Sequence, residues 1–240
     1  MLDLTIVLPV LNEEDIIENI SHKIKKVLDQ NNITYELVLV ENGSTDKTWD
    51  VLKKIAKENT HFRIIRAKRG YGSAVYKGLM VASGKYVCYM PSDGQVDEKI
   101  IPILFSEIKE RKFDLVKIKR VNRENFIRYI RSKIYNKLAR LFLPIDVEDI
   151  NGSPRIFLRD RLKVLSLTYA DSFIDTEFAV KAHYLDWKIK EIPMRNLDRA
   201  GGKSTVRIGT VIEFLKNLFW FRWGDEIITW QQKMGLKIYR

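Results

Sequence analysis

An acidic residue placed directly after an apolar run is the clearest chemical signal in the chain. The run at 86–90 stops at Pro91, and Asp93, Gly94 and Gln95 follow. A carboxylate there would stand at the carboxyl edge of a sheet, where ligands bind in open α/β folds. Asp93 and Gln95 are therefore candidate ligands for a metal ion, or for a substrate bound to one. The alternative is an ordinary Pro-Ser-Asp-Gly turn.

Short apolar strands and amphipathic helices alternate around this stretch and must position it. We expect the first strand to stop at Pro9 and Asn12 to cap the following helix. The alternation fails after a fifth strand, so the pattern predicts an α/β fold with a mostly parallel sheet of right-handed βαβ units. The predicted strands are 4–8, 36–40, 62–66, 85–90 and 114–118, with a late strand at 187–193.

Two polar loops are predicted at the same edge of the sheet. Residues 41–46 follow the second strand and are rich in Ser, Thr and Asp. Residues 68–74 carry Lys68, Arg69 and two glycines just before a helix. Backbone amides at a helix start, with cations beside them, suit an anion. The alternative for the second loop is a flexible connection.

The second half of the chain is basic and amphipathic. Residues 125–143 place apolar side chains on one stripe and basic ones elsewhere, which suits a helix bordering a membrane-facing groove. The tail at 211–223 mixes aromatic and cationic residues, and either a membrane interface or core packing would explain it. We predict a domain at 1–205 and an amphipathic extension at 206–240.

Composition narrows the class of protein. The 240 residues carry 42 Lys and Arg against 31 Asp and Glu, a net charge of +11, which favours anionic partners. Cys88 is the single cysteine, which excludes a disulfide framework. No signal peptide and no run of about 18 apolar residues is present, so we expect a cytoplasmic protein. A nucleic-acid-binding module is an alternative, although its usual motifs are missing.

Four segments in this order resemble the family 2 glycosyltransferases, which are inverting enzymes of GT-A fold. They are 7–14, 41–46, 69–74 and 93–95. The resemblance implies that Asp93 and Gln95 hold Mg²⁺ or Mn²⁺ on the diphosphate of a GDP- or UDP-sugar. The implied nucleotide-sugar contacts are Pro9, Leu11, Glu13, Glu41, Asn42, Gly43, Arg69, Gly72 and Ser92.

Within that family, the second half is similar to the polyprenyl-phosphate sugar transferases, including the dolichyl-phosphate mannosyltransferases. The helix at 128–140 matches one whose Arg and Ser bind the acceptor phosphate, here Arg128 and Ser132. Arg120 matches a further phosphate-binding arginine. Arg199 and Lys203 fall in a segment similar to the loop that closes over the donor diphosphate.

The chain departs from the family pattern at two positions. Pro91 stands where the family has the first carboxylate of Asp-X-Asp, and Asn42 stands where a second Asp is common. The resemblance implies sugar transfer to a polyprenyl phosphate at the cytoplasmic face of a membrane. A sugar hydroxyl acceptor is the alternative, and Asp175 or Glu177 would then be the base. A membrane-bound scaffold without catalysis is a further alternative, suggested by Pro91.

Overall fold

A seven-stranded sheet forms the centre of the computed structural model, which describes residues 2–121, 126–197 and 208–238. Its order is β3-β2-β1-β4-β6-β5-β7, and β6 alone among these strands runs antiparallel to both of its neighbours. The strands are β1 Leu4–Val10, β2 Tyr35–Glu41, β3 Phe62–Arg66, β4 Tyr86–Tyr89, β5 Leu115–Val121, β6 Arg155–Leu158 and β7 Ile189–Arg195.

Helices cover both faces of the sheet. On one face α1 packs beside α2 and α4, whereas α3 packs on β1, β2 and β4 from the other face. The helices are α1 Ile17–Gln30, α2 Thr48–Glu58, α3 Tyr71–Met80, α4 Ile100–Arg111, α5 Phe126–Phe142, α6 Leu162–Leu165, α7 Ile174–Tyr184, α8 Ile208–Trp223 and α9 Asp225–Lys233.

The direction of strand addition reverses between β1 and β4. From β1 the chain builds outward to β2 and β3, and it then returns through α3 to β4 on the opposite side of β1. Such a switch point leaves a crevice at the carboxyl ends of the strands, and ligands of open α/β folds bind there. The predicted α/β class and the mostly parallel sheet are confirmed, and Asp93 follows the carboxyl end of β4.

The first strand runs past Pro9, where we had expected it to stop. Pro9 pairs with Val40 inside the ladder between β1 and β2. The ladder between β1 and β4 ends at Val7, and the Pro9 carbonyl on that side accepts the Ser92 hydroxyl at 2.6 Å. On the side of Pro9 that faces β4 there is no ladder hydrogen bond to make, so the lack of an N–H at Pro9 costs the sheet nothing.

The expected cap at Asn12 is wrong. Helix α1 begins at Ile17, and Asn12 takes a left-handed conformation with φ of 53°. Asparagine tolerates this region because its short amide finds local hydrogen bonds. The Asn12 side chain accepts the Thr45 backbone N–H at 2.8 Å, so it joins two loops instead of starting a helix.

A second apolar cluster joins four helices beside the sheet. It is built by α5, α7, α8 and α9 around Phe173, Val180, Phe214 and Phe221. Helix α7 lies between this cluster and the sheet, and its residues from Ile174 to Ala182 are all buried. The predicted boundary at 205/206 stays a prediction, and α8 and α9 pack on helices from before it.

The aromatic tail at 211–223 has one face of α8 packed in the core and another face exposed. Phe214, Leu218 and Phe221 are buried in the helical cluster. Three large side chains on the other face of α8 are more than half exposed: Phe219 55%, Trp220 58% and Trp223 54%. Within the described ranges, no helix has the length and apolar character needed to cross a bilayer.

Several described side chains of the apolar stripe predicted on α5 lie outside the core. Ile134 and Leu141 on that stripe are exposed, whereas α5 buries a different face through Asn136, Ala139 and Leu143. The Phe142 ring contacts the Trp223 ring with centroids 5.7 Å apart, which joins the exposed apolar residues of both helices. We call this the aromatic surface, formed by Ile134, Leu141, Phe142, Leu215, Phe219, Trp220 and Trp223.

Candidate functional site

Hydrogen bonds join the loops that follow β1 and β2. The Asn12 N–H donates to Ser44 Oγ at 3.1 Å, and the Glu13 N–H donates to Thr48 Oγ1 at 2.8 Å. The Glu14 carboxylate accepts the Lys47 N–H at 2.8 Å. Because each loop satisfies the backbone of the other, the two form one rigid wall of the crevice. Leu11 and Glu13, two of the predicted nucleotide contacts, lie on this wall.

The end of β2 brings four predicted nucleotide contacts together. The buried Glu41 carboxylate accepts the Ser44 N–H at 2.5 Å and lies 3.5 Å from Arg66 Nε. The Asn42 Oδ1 atom accepts the Gly70 N–H at 2.9 Å. Gly43 has φ of 83°, and a Cβ there would lie 3.5 Å from Arg69 Cβ. Glu41, Asn42, Gly43 and Arg69 therefore share one corner of the crevice.

Helix α3 begins in close contact with the loop before α7. The Ser73 N–H donates to the Ala170 carbonyl at 3.0 Å. A Cβ at Gly72 would lie 2.2 Å from the Tyr169 oxygen and 2.6 Å from the Asp171 oxygen. Position 72 therefore admits only glycine without movement of the backbone. Gly72, which was predicted to contact the nucleotide, lies where α3 packs on the backbone of the loop at 169–171.

Asp93 and Gln95 lie in the turn after β4. The Asp93 carboxylate accepts the Gln95 N–H at 3.2 Å, and Gly94 between them has φ of 76°. Both side chains are partly exposed, whereas Ser92 is buried and ties the turn to Pro9 of β1. Carboxylate and amide oxygens suit Mg²⁺ or Mn²⁺, which accept water and phosphate oxygens as their other ligands. This donor set fits a divalent cation held partly by substrate.

The two candidate bases are buried in ion pairs. Asp175 accepts the Tyr89 hydroxyl at 3.0 Å and lies 3.2 Å from Arg155 Nη2. Glu177 lies 2.6 Å from Lys181 Nζ and accepts the Thr168 N–H at 3.0 Å. Asp175 is 5% exposed and Glu177 is fully buried. Each candidate base therefore lies beside a buried cation, and both oxygens of Glu177 accept hydrogen bonds.

Arg120 is held in one orientation at the end of β5. The Asp149 carboxylate accepts Arg120 Nε and Nη2, both at 2.7 Å, and the Arg120 backbone N–H at 3.0 Å. Burial opposes ionisation of Asp149, but Arg120 and the charge of Lys117 outweigh it and hold the pKa of Asp149 well below its usual range. Bidentate pairing fixes the plane of the guanidinium.

Tyr71 lies on the first turn of α3 and is affected by charges from several elements. Burial raises the pKa of its phenol. The charges of Asp175 and Asp93 raise it further, whereas those of Arg155 and Arg120 oppose the rise. These four side chains therefore lie within electrostatic reach of one hydroxyl. The charges of the candidate metal ligand Asp93 and the candidate acceptor arginine Arg120 thus both act on the Tyr71 phenol.

Four predicted site residues are less fully described. Ser132 lies on α5, where its carbonyl accepts the Asn136 amide at 2.8 Å. Arg128 belongs to the same helix, and its side chain is outside the described set. Arg199 and Lys203 lie outside the described residues. Their roles stay predictions, as do the roles of the other site residues.

Four side chains near the crevice were missed as site residues from the sequence: Lys117, Asp149, Arg155 and Tyr71. For Lys117 and Arg155 the sequence contained a signal, because each is a charged residue within or at the start of a short apolar strand. The structure shows both side chains to be almost fully buried. Charged side chains are rarely buried without a partner. No such signal marked Asp149, since its partner Arg120 lies 29 positions earlier.

Known proteins with related sequences are enzymes of sugar transfer. Dodecaprenyl-phosphate galacturonate synthase of Rhizobium johnstonii is 30% identical over 171 residues, which is 69% of this chain and 51% of the relative. Dolichol-phosphate mannosyltransferase of Pyrococcus furiosus is 29% identical over 234 residues, 93% of this chain and 65% of the relative. The chain thus spans about half to two thirds of the length of these curated relatives.

Solved structures share the fold at low identity. Glucosyl-3-phosphoglycerate synthase of Mycobacterium tuberculosis, crystallised with Mn²⁺, UDP and phosphoglyceric acid, has a TM-score of 0.67 at 20% identity, over 92% of this chain and 78% of that one. TarS of S. aureus has a TM-score of 0.56 at 21% identity, over 80% of this chain and 58% of that one. The fold is of GT-A type. Because the profile of Glycosyl transferase family 2 matches residues 5–165, the chain belongs to that family.

Proposed function

We propose that this protein transfers a sugar from a nucleotide diphosphate-sugar to the phosphate of a polyprenyl phosphate, with inversion at the anomeric carbon. The supporting observation is that Arg120, oriented by Asp149 near the carboxyl end of β5, lies at the same edge of the sheet as Asp93, which follows the carboxyl end of β4. A carboxylate that would hold a cation and an arginine held in one orientation, both at one sheet edge, suit two anionic substrates. The family membership and the two polyprenyl-phosphate relatives support the same reaction.

Donor binding would use the corner at Glu41, Asn42, Gly43 and Arg69 for the nucleotide. Asp93 and Gln95 would hold a divalent cation, which neutralises charge on the leaving diphosphate when bound. Arg199 and Lys203 would add positive charge over the same phosphates. The nucleotide side of the crevice is already braced, so Asp93 lies in place before the donor arrives.

Acceptor binding would use Arg120, with Arg128 and Ser132 on α5. A phosphate oxygen is already an anion and needs no base, so these residues have only to bind and orient it. The Arg120 Nη1 group makes no hydrogen bond to a described residue, which leaves that edge for a phosphate oxygen. The alternative with a sugar hydroxyl needs an accessible basic carboxylate, and two observations disfavour it: Glu177 is fully buried with both oxygens accepting hydrogen bonds, and Asp175 is 5% exposed and paired with Arg155.

The membrane contact would be made by the aromatic surface of α5 and α8. Trp and Phe side chains suit the boundary between headgroups and acyl chains, and Lys133, Lys137 and Lys216 are exposed on the same helices. Basic side chains add attraction to anionic lipids. We propose peripheral binding at the cytoplasmic face, where nucleotide sugars and the phosphate end of the lipid can meet.

Transfer to a phosphate can be tested directly. The purified chain is incubated with radiolabelled GDP- and UDP-sugars, Mg²⁺ or Mn²⁺, and a polyprenyl phosphate in phosphatidylcholine vesicles with about a fifth phosphatidylglycerol. We expect label in the organic phase with one donor class, and none with the corresponding polyprenol. Arg120→Met should raise the acceptor KM about tenfold or more without changing the thermal shift caused by the donor.

The control for Arg120→Met is Arg63→Met, which removes an exposed arginine from the edge strand β3. Equal transfer to polyprenol and to its phosphate would contradict the proposed acceptor. Label released only as free sugar would show donor hydrolysis and would also contradict it. Full activity in EDTA would contradict the proposed cation.

A further inference from the structure

A lysine is buried beneath the loop that carries Asp149. Lys117 lies on β5 and is 1% exposed. In the sheet Lys117 pairs with Glu191 of β7 on one side and with Arg155 of β6 on the other. Burial and the charge of Arg155 lower the pKa of Lys117 to about 8, although Glu191 and Asp149 oppose the shift. Burying an ammonium group costs desolvation free energy, which its ion pair and hydrogen bonds must offset.

The contacts of Lys117 converge on the main chain of the loop. Its Nζ donates to the Asp149 carbonyl, to the Ile118 carbonyl at 3.2 Å and to Glu191 Oε1 at 3.2 Å. A Cβ at Gly152 would lie 2.7 Å from Nζ, so the lysine fills the space directly under the loop. The ammonium therefore bonds to the backbone of Asp149, while the side chain of Asp149 holds Arg120.

Glu191 completes the support from the opposite side. Its Oε2 accepts the Glu148 N–H at 2.6 Å, and its Oε1 accepts the Asp149 N–H at 3.1 Å. Lys117 and Glu191 thus bind the carbonyl and the amide of the same residue. Asp149 has both of its peptide groups fixed by one buried ion pair, and its carboxylate has little freedom to turn.

We propose that Lys117, paired with Glu191, is a positioning residue for the acceptor phosphate, because it fixes the Asp149 main chain that orients Arg120. The inference rests on the proposed function for the identity of the acceptor. The orientation of Arg120 itself is a property of the protein alone. Lys117 touches no substrate in this scheme and acts through Asp149. Its loss should leave the nucleotide corner unaltered, since Glu41 and Asn42 lie on the other side of β1.

The exposed neighbour Lys119 provides a matched control. It lies two residues along β5 and pairs with Glu148 of the same loop at 2.5 Å, but both side chains are solvent-accessible. Exposed ion pairs contribute little, about 0–1 kcal/mol. Lys119→Met removes the same charge from the same strand without touching the buried pair. Comparing Lys119→Met with Lys117→Met therefore distinguishes the effect of losing a positive charge from the effect of losing the hydrogen bond to the Asp149 main chain.

Transfer kinetics give the first test. We expect Lys117→Met to raise the KM for polyprenyl phosphate about tenfold, with the donor KM within about twofold of wild type. Lys119→Met should leave both values within about twofold. Glu191→Gln, which places an amide donor against the backbone N–H groups, should raise the acceptor KM by a smaller factor. An unchanged acceptor KM in Lys117→Met would overturn the proposal, and so would equal rises in both KM values.

A second test needs no substrate. The Arg120 Nε–H donates to Asp149, and it should exchange slowly with water in protein carrying ¹⁵N-arginine. Its resonance is assigned as the one missing from Arg120→Lys. We expect Lys117→Met or Glu191→Gln to speed this exchange about tenfold, and Lys119→Met to leave it unchanged. Whichever buried-pair variant folds suffices. If wild type fails to use polyprenyl phosphate, only the proposed function falls, whereas unchanged Nε–H exchange overturns the role of Lys117.

Discussion

Asp93 supplies the one side-chain carboxylate of the turn at 91–95, and the rest of the turn is arranged to present it. Pro91 occupies the place of a first acidic residue, and the buried Ser92 binds the backbone of β1. Gln95 follows through a glycine with positive φ. A cation held by one carboxylate depends on substrate phosphates for much of its binding energy. Metal affinity should therefore be low until the donor is present.

Removing the Asp93 carboxylate should abolish the metal-dependent part of donor binding. We expect Asp93→Ala to lower kcat about 10²-fold or more, because charge on the leaving diphosphate is then poorly neutralised. The thermal shift produced by the donor should no longer respond to Mg²⁺ or Mn²⁺. Glu98→Gln removes an acid from the following loop and should change neither quantity. A metal-dependent shift that persists in Asp93→Ala would place the cation elsewhere.

Residue types at the ends of strands indicated the corner at Glu41 and Asn42 and the turn at Asp93 more clearly than the surroundings of Arg120. Glu41, Asn42 and Asp93 directly follow apolar runs, so sequence position alone indicates one sheet edge. The environment of Arg120 depends on Asp149, Lys117 and Glu191, which lie on separate elements. Their contacts form only when β5 and β7 pair, and no local sequence pattern predicts that pairing.

The elements of the sheet were largely predictable, whereas their order was not. The bounds of β3 agree with those predicted, because its apolar run has clear polar ends. The antiparallel β6, inserted between β4 and β5, has only four residues and no periodicity of its own. Helix α5 was predicted to be amphipathic and to border a membrane-facing groove, but the pattern did not indicate that it would bury Asn136 and Ala139. Helix α5 packs against α8.

Contact between α3 and the loop at 169–171 should be sensitive to a single methyl group. We expect Gly72→Ala to lower the free energy of unfolding by about 2 kcal/mol or more, because the added Cβ would overlap two backbone oxygens. Ser73→Ala keeps the N–H bond to Ala170 and should change stability by less than about 1 kcal/mol. Urea denaturation followed by circular dichroism measures both. Equal stability of Gly72→Ala and wild type would contradict the tight contact.

The molecule as a whole is asymmetric in surface chemistry. Among the described residues, most of the large exposed aromatic side chains lie on α5 and α8. Soluble proteins seldom expose a contiguous apolar patch of this kind without a partner. The buried face of α8 anchors it to α5 and α7, so the aromatic surface is presented on a fixed support.

Vesicle binding should depend on this surface. We expect the double change Trp220→Ala and Trp223→Ala to weaken sedimentation with anionic vesicles about tenfold or more, because two interfacial anchors are lost. Met80→Ala removes an equally exposed apolar side chain from α3 and is the control. Both proteins should retain the donor-induced thermal shift. Unaltered sedimentation of the double variant would assign membrane contact to another part of the chain.

The hydrogen bonds between the loops after β1 and β2 also bear on the timing of turnover. The wall formed by Asn12, Glu13 and Glu14 exists before any nucleotide enters. A ligand that meets an assembled wall loses little conformational entropy from the protein and needs no slow rearrangement to be captured. If the proposed function holds, donor capture would then be fast at every turnover, and lipid arrival and product release would limit the rate.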